Sequence, residues 1–105
     1  MDNLIKYSIL IPTRNGIKYL PFCIKSILSQ DYINFELIVS DNHSTDGTWQ
    51  YLKSIHDNRV KIIKPVHSLS MTDHFEWLLS HAGGEWIILL GDDDGLQPYF
   101  FELSD

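Results

Sequence analysis

Three consecutive carboxylates, Asp92-Asp93-Asp94, stand between Gly91 and Gly95 at the end of an unbroken apolar run, Trp86-Ile87-Ile88-Leu89-Leu90. Adjacent acids repel one another, and a divalent cation is the direct remedy, since hard oxygen ligands suit Mg²⁺ or Mn²⁺. The flanking glycines let backbone and ligand come close. An apolar run without alternation reads as a strand buried on both faces, the kind found in parallel sheets. Ligands of open α/β sheets sit just beyond the carboxyl ends of such strands. The competing reading is a solvated turn, because Asp-Gly is a common turn dipeptide. The acids alone leave both readings open.

Two more polar loops follow apolar strands. Tyr7-Ser8-Ile9-Leu10-Ile11-Pro12 reads as a first strand, ended by Pro12, and Thr13-Arg14-Asn15-Gly16 as its loop. Phe35-Glu36-Leu37-Ile38-Val39-Ser40 reads as a second strand, followed by Asp41-Asn42-His43-Ser44-Thr45-Asp46-Gly47-Thr48. Helical spacing joins these elements. Residues 18–30 place Leu20, Ile24, Ile27 and Leu28 on one stripe, with Pro21 in the first turn. Residues 48–55 turn Trp49, Leu52 and Ile55 inward, capped by Asp46 or Thr45. A short third strand, residues 60–64, stops at Pro65, and its alternation predicts a peripheral place in the sheet. A third helix carries Phe75, Leu78 and Leu79, capped by Thr72 or Asp73 and stopped by Gly83-Gly84. Strand and helix alternate throughout, which predicts βαβ units: an α/β, Rossmann-like three-layer sandwich with a mainly parallel sheet.

Composition narrows the function. The 105 residues carry a net charge of −6 and are 44% hydrophobic, enough for a single domain with one core. An acidic chain without a basic cluster excludes general nucleic-acid binding. The lone Cys23, between Phe22 and Ile24, reads as a buried structural thiol and fits a reducing compartment. Neither a signal peptide nor a run near the ~20 apolar residues of a membrane span is present, so a cytoplasmic location is expected. His43, His56, His67 and His81 lack metal-ligand spacing. His74 reads as an ordinary, partly buried histidine. The first strand is followed by neither the dinucleotide fingerprint nor a phosphate loop. Acids stand at the strand ends where glycine cradles would otherwise be, and a site that holds phosphates with acids needs a cation between them.

Taken together, three segments resemble the inverting glycosyltransferases of family 2, with the GT-A fold. Ser8-Ile9-Leu10-Ile11-Pro12-Thr13-Arg14-Asn15 is similar to that family's opening strand and Pro-Thr-x-Asn loop. The run from Phe35 to Thr48 resembles its second strand and Asp-Asp/Asn-x-Ser-x-Asp-x-Thr loop, and Gly84-Glu85-Trp86 through Asp94 its Gly-Glu-Tyr strand and Asp-x-Asp box. The resemblance implies that Pro12, Thr13, Arg14 and Asn15 line the base and ribose of a nucleoside-diphosphate sugar, UDP-, GDP- or dTDP-linked. Arg14 stands where members often carry an aromatic that stacks on uracil, and its guanidinium can stack or meet a phosphate. Asp41 matches the acid that touches the nucleoside, and Asn42 stands where many members have a second Asp. Asp92 and Asp94 match the acids that hold Mn²⁺ or Mg²⁺, while Asp92 and Asp93 face the nucleotide-sugar. Capping accounts for Ser44, Thr45 and Asp46.

In that family the general base and the acceptor site come later in the chain. Residues 1–105 are therefore expected to form one domain, the N-terminal donor-binding part of a longer glycosyltransferase acting on an unknown acceptor glycan or lipid, peripheral to a membrane if the acceptor is membrane-bound. The aromatic segment Tyr99-Phe100-Phe101 has nothing to pack on and predicts self-association. Rival readings are a non-catalytic nucleotide- or sugar-binding module and a phosphoacceptor receiver domain. The receiver would need an Asp after the third strand, where Lys64-Pro65 stands.

Overall fold

A computed structural model describes residues 7–29, 34–84 and 86–90 in full, and residues 99–102 by their backbone. Its elements are β1 (Tyr7–Thr13), α1 (Leu20–Leu28), β2 (Phe35–Asp41), α2 (Thr48–Lys53), β3 (Val60–Ile63), α3 (Met71–Leu79), β4 (Trp86–Leu89) and β5 (Tyr99–Glu102). The sheet runs β3-β2-β1-β4-β5. β1 through β4 are mutually parallel, and β5 pairs antiparallel with β4.

Period-two alternation along the strands builds two cores. Ile11, Leu37 and Val39 turn to one face and pack with Leu20 and Ile24 of α1 and Leu52 of α2. Leu10, Ile38 and Ile87 turn to the other face and pack with Leu78 of α3. Helices thus cover both faces of the sheet, giving the three-layer α/β sandwich expected from the alternation of elements. β3 is the edge strand that its pattern indicated, with Lys61 in water.

Several local expectations are corrected. The strand buried along its whole length is β2, whereas in β4 only Ile87 is fully buried. β1 runs through Pro12 to Thr13. Alternation explains how. The Thr13 carbonyl accepts from Asn42 N–H on the β2 side at 2.8 Å, and the Leu10 carbonyl accepts from Leu90 N–H on the β4 side at 3.0 Å. Pro12 therefore faces β4 beyond Leu10↔Leu89, where that ladder ends, and its missing N–H breaks no bond. The segment at Tyr99 is also not unpartnered, since its backbone forms β5 against β4. Its side chains, on which the expected self-association rests, lie outside the described residues. Cys23 is half-buried against the larger core rather than enclosed.

Caps differ too. The N-cap of α2 is Gly47 in a left-handed conformation, not Asp46 or Thr45, although Asp46 Oδ1 does accept from Thr48 N–H at 3.1 Å. Ser70 caps α3 in place of Thr72 or Asp73, its hydroxyl accepting from Asp73 N–H at 3.1 Å. The α3 helix ends at Leu79, before the two glycines, which serve the sheet instead. Gly84 lies so close to β1 that an added Cβ would stand 2.9 Å from the Ser8 nitrogen.

Candidate functional site

Beside β1 the strand order turns back on itself: β2 follows β1 on one side and β4 lies on the other. In open α/β sheets this switch point is where ligands bind, at the carboxyl edge. The loops after β1 and β2 meet at that edge and are sewn together. Asn15 N–H donates to Ser44 Oγ at 2.7 Å, and Asn15 Oδ1 accepts from Thr45 N–H at 2.7 Å. Gly16 N–H donates to Thr48 Oγ1 at 3.1 Å, and Ile17 N–H to Asp46 Oδ2 at 3.3 Å. Ser44, Thr45 and Asp46 thus bind one loop to the other, and only Asp46 also serves the helix end as expected. Two non-glycine residues with left-handed backbone, Asn15 at φ 58° and His43 at φ 60°, lie one in each loop. Such outliers persist where surrounding structure fixes them.

Asp41, the last residue of β2, is fully buried. Its Oδ1 accepts from Ser44 N–H at 3.2 Å and from the Ser44 hydroxyl by a short hydrogen bond. Its Oδ2 is buried without a hydrogen-bond partner among the described residues. A buried carboxylate oxygen left unpaired costs on the order of 1–3 kcal/mol, which marks Asp41 as a place where a ligand donor would be welcome. The neighbouring Asn42 is engaged already. Its Nδ2 donates to the Leu69 carbonyl at 2.7 Å and its Oδ1 accepts from Leu69 N–H at 2.9 Å. His43 Nε2 and the Pro65 carbonyl are hydrogen-bonded at 2.9 Å. Asn42 and His43 together hold the segment that leads into α3 against this edge. Thr13 is buried, Pro12 half-buried, and Arg14 and Asn15 are exposed at the rim.

His74, expected as an ordinary, partly buried histidine, makes a contact that the sequence did not indicate. His74 on α3 is buried, and its Nε2 is hydrogen-bonded to Ser40 Oγ at 2.7 Å. Burial pushes the His74 imidazole below its ordinary range, and the nearby charge of Asp41 opposes that in part. The available signal was Ser40 itself: a hydroxyl closing the apolar run Leu37-Ile38-Val39 needs a partner from the facing helix.

The acids Asp92, Asp93 and Asp94 lie outside the described residues. Leu90, the last described residue before them, is tied to Leu10 at the same carboxyl edge. Among the described residues, no group of three or more His, Cys, Asp or Glu could hold a metal ion. At the opposite end of the sheet a second buried carboxylate is fully occupied. Glu36 accepts from Ser8 Oγ at 2.7 Å, Gly83 N–H at 2.7 Å and Lys61 Nζ at 3.1 Å, while Gly84 N–H donates to Ser8 Oγ at 2.7 Å. That cluster fastens β1, β2, β3 and the turn before β4, and it leaves nothing free for a ligand.

A parallel sheet with alternating helices and polar loops gathered at its switch point is the architecture of GT-A glycosyltransferases. The profile of Glycosyl transferase family 2 matches residues 8–103, and the chain belongs to that family. It is 36% identical over 97 residues to the putative glycosyltransferase EpsE of Bacillus subtilis, covering 90% of this chain and 35% of that protein. It is 34% identical over 87 residues to WfaP of Escherichia coli, named a UDP-Glc:alpha-D-GlcNAc-diphosphoundecaprenol beta-1,3-glucosyltransferase, covering 83% of this chain and 35% of that one. Among solved structures, S. aureus TarS 1-349 in complex with UDP superposes with a TM-score of 0.74 at 28% identity, over 84% of this chain and 27% of TarS 1-349. The chain therefore spans about a third of the length of these curated relatives.

Proposed function

We propose that this chain forms the donor-binding part of a glycosyltransferase that moves a sugar from a nucleoside-diphosphate sugar to an acceptor hydroxyl by inverting displacement. The observation that carries the reading is the buried Asp41, half-satisfied by Ser44, at the switch point of a family 2 fold. Asp41 accepts a hydrogen bond from the nucleoside. Thr13 and Pro12 form the floor beside it, and Arg14 and Asn15 the rim, where the Arg14 guanidinium meets the base face or a phosphate. Asn42 acts on the same pocket by holding Leu69 in place.

Asp92 and Asp94 would hold Mn²⁺ or Mg²⁺, with Asp93 toward the sugar or ribose. An all-carboxylate donor set directly after a strand that ends at the site suits a hard cation. When bound, such an ion offsets the charge that gathers on a departing nucleoside diphosphate. Uridine nucleotides are the first donors to test, because TarS has been solved with UDP and UDP-GlcNAc and WfaP is named for UDP-Glc. The name of WfaP likewise makes a lipid-linked glycan the acceptor class we put first. An enzyme serving such an acceptor works at a membrane surface. No helix among the described residues is long and apolar enough to cross a membrane.

Calorimetric titration of UDP, GDP and dTDP in Mn²⁺ and then in EDTA tests this reading. Metal-dependent binding of one nucleotide, weakened by Asp41→Asn and abolished by Asp92→Asn or Asp94→Asn, is expected. Binding indifferent to metal and to all three substitutions would overturn it.

A further inference from the structure

We propose that Ser44 is the positioning residue of the nucleotide site: it turns Asp41 so that one carboxylate oxygen is spent within the protein and the other is kept for the ligand. The inference rests on the donor-site reading above. Ser44 gives Asp41 two hydrogen bonds, from its N–H and from its hydroxyl, and both fall on Oδ1. Nothing among the described residues donates to Oδ2, although it is buried. A carboxylate is symmetric, so this division is imposed by its surroundings. With both hydrogen bonds from Ser44 on one oxygen, the carboxylate is held in one orientation and Oδ2 keeps a fixed direction.

The same hydroxyl is also fixed from the other side. Ser44 Oγ accepts from Asn15 N–H at 2.7 Å, so its own proton is committed to Asp41. Asn15 holds a left-handed backbone at φ 58°, and its Oδ1 is bound to Thr45 N–H at 2.7 Å. A relay therefore runs from the loop that carries Arg14, through Ser44, to Asp41. Any shift of the first loop changes the aim of the buried acid. The relay also dictates what the ligand must bring. A carboxylate oxygen is an acceptor, so the partner that suits Oδ2 is a donor: a ring N–H of the base or a hydroxyl of the ribose.

A double-mutant cycle reads this directly. The probe is whichever of UDP, GDP and dTDP the wild-type chain binds, titrated in Mn²⁺ against wild type, Ser44→Ala, Asp41→Asn and the pair. Ser44→Ala is expected to weaken binding about tenfold, the worth of a hydrogen bond to a charged group. Ser44→Thr, which keeps the hydroxyl, is expected to restore most of it. In the Asp41→Asn background Ser44→Ala should add little, because the two act as one unit. Thermal unfolding of each variant fixes a temperature at which all are folded. If Ser44→Ala leaves affinity within about twofold, or weakens it equally in both backgrounds, Ser44 does not act through Asp41 and the inference falls while the donor-site reading stands. A folded wild-type chain that binds none of the three nucleotides removes both.

Discussion

Glycine and carboxylate do their work in this chain by closeness, and Gly84 shows it best. A Cβ there would stand 2.8 Å from Ser8 Oγ and 2.9 Å from both the Ser8 nitrogen and the Tyr7 carbonyl carbon. Two of those atoms are backbone of a central strand and cannot yield. Gly84→Ala is expected to cost about 1–3 kcal/mol, as overpacking does, seen as a lower urea midpoint with an unchanged slope. Gly83→Ala is the matched comparison. Its added carbon would meet only Glu36 Oε2 at 3.6 Å, an ordinary contact, and stability should change far less. Equal losses at the two positions would mean that strain of the turn, not approach to β1, sets the cost. The same closeness explains why Ser8 was hard to interpret from sequence. In the run Tyr7-Ser8-Ile9 it reads as a neutral strand residue, yet it is fully buried and links Gly84 N–H to Glu36. Its partners are 28 and 76 residues away, and no local pattern reports bonds of that length.

Elements were legible where one period dominated. Leu20 and Ile24 on α1, Leu52 on α2 and Leu78 on α3 are all buried as their spacing required. Ends were less legible, because several neighbouring residues can each cap a helix and only the backbone entering the first turn decides among them. Ser70 illustrates this. It has extended backbone, φ −64° and ψ 164°, and so it takes the cap ahead of Thr72 and Asp73. Ser70→Ala is expected to cost roughly 1 kcal/mol and Ser70→Asp close to nothing, measured by thermal unfolding. If Thr72→Ala costs more than Ser70→Ala, the cap has been misplaced. The antiparallel β5 was illegible for a different reason. Its aromatic run carries no helical stripe and no turn signature, and only β4 beside it supplies the ladder that makes it a strand. The site divided along the same line. Asp41 was found as a residue, but its half-satisfied state arises from a loop that folds back three residues later, which spacing does not encode.

At the scale of the whole molecule, His74 and Glu36, two of the buried ionisable groups, lie at opposite ends of the sheet and respond to acid in separate windows. Burial holds the His74 imidazole below its usual 6.5, against the opposing charge of Asp41. The folded chain therefore refuses a proton that the unfolded chain accepts, and stability falls as the pH drops through about 6.5 toward the folded value. Glu36 is the reverse kind of group. Burial alone would raise its carboxyl above 4.5, but hydrogen bonds from Ser8, Gly83 and Lys61, with the Lys61 charge, outweigh that and hold it lower. Its contribution is complete above the unfolded value of 4.5 and is lost as the pH falls below that, through the folded value. Because the His74 contact joins α3 to β2 and the Glu36 cluster joins β1, β2 and β3, each loss is felt by the whole sheet rather than by one loop. Unfolding midpoints followed from neutral pH into acid should fall in two windows. His74→Gln, whose amide can still meet Ser40 and does not titrate, should flatten the upper window and leave the lower. Glu36→Gln should lower stability at neutral pH and reduce the slope of the lower window without removing it, because Asp46 and Asp57, also held below 3.8 by their hydrogen bonds, lose their contributions there too. A His74→Gln variant that keeps the full slope between pH 7 and pH 6 would show that the buried imidazole is not what the upper step reports.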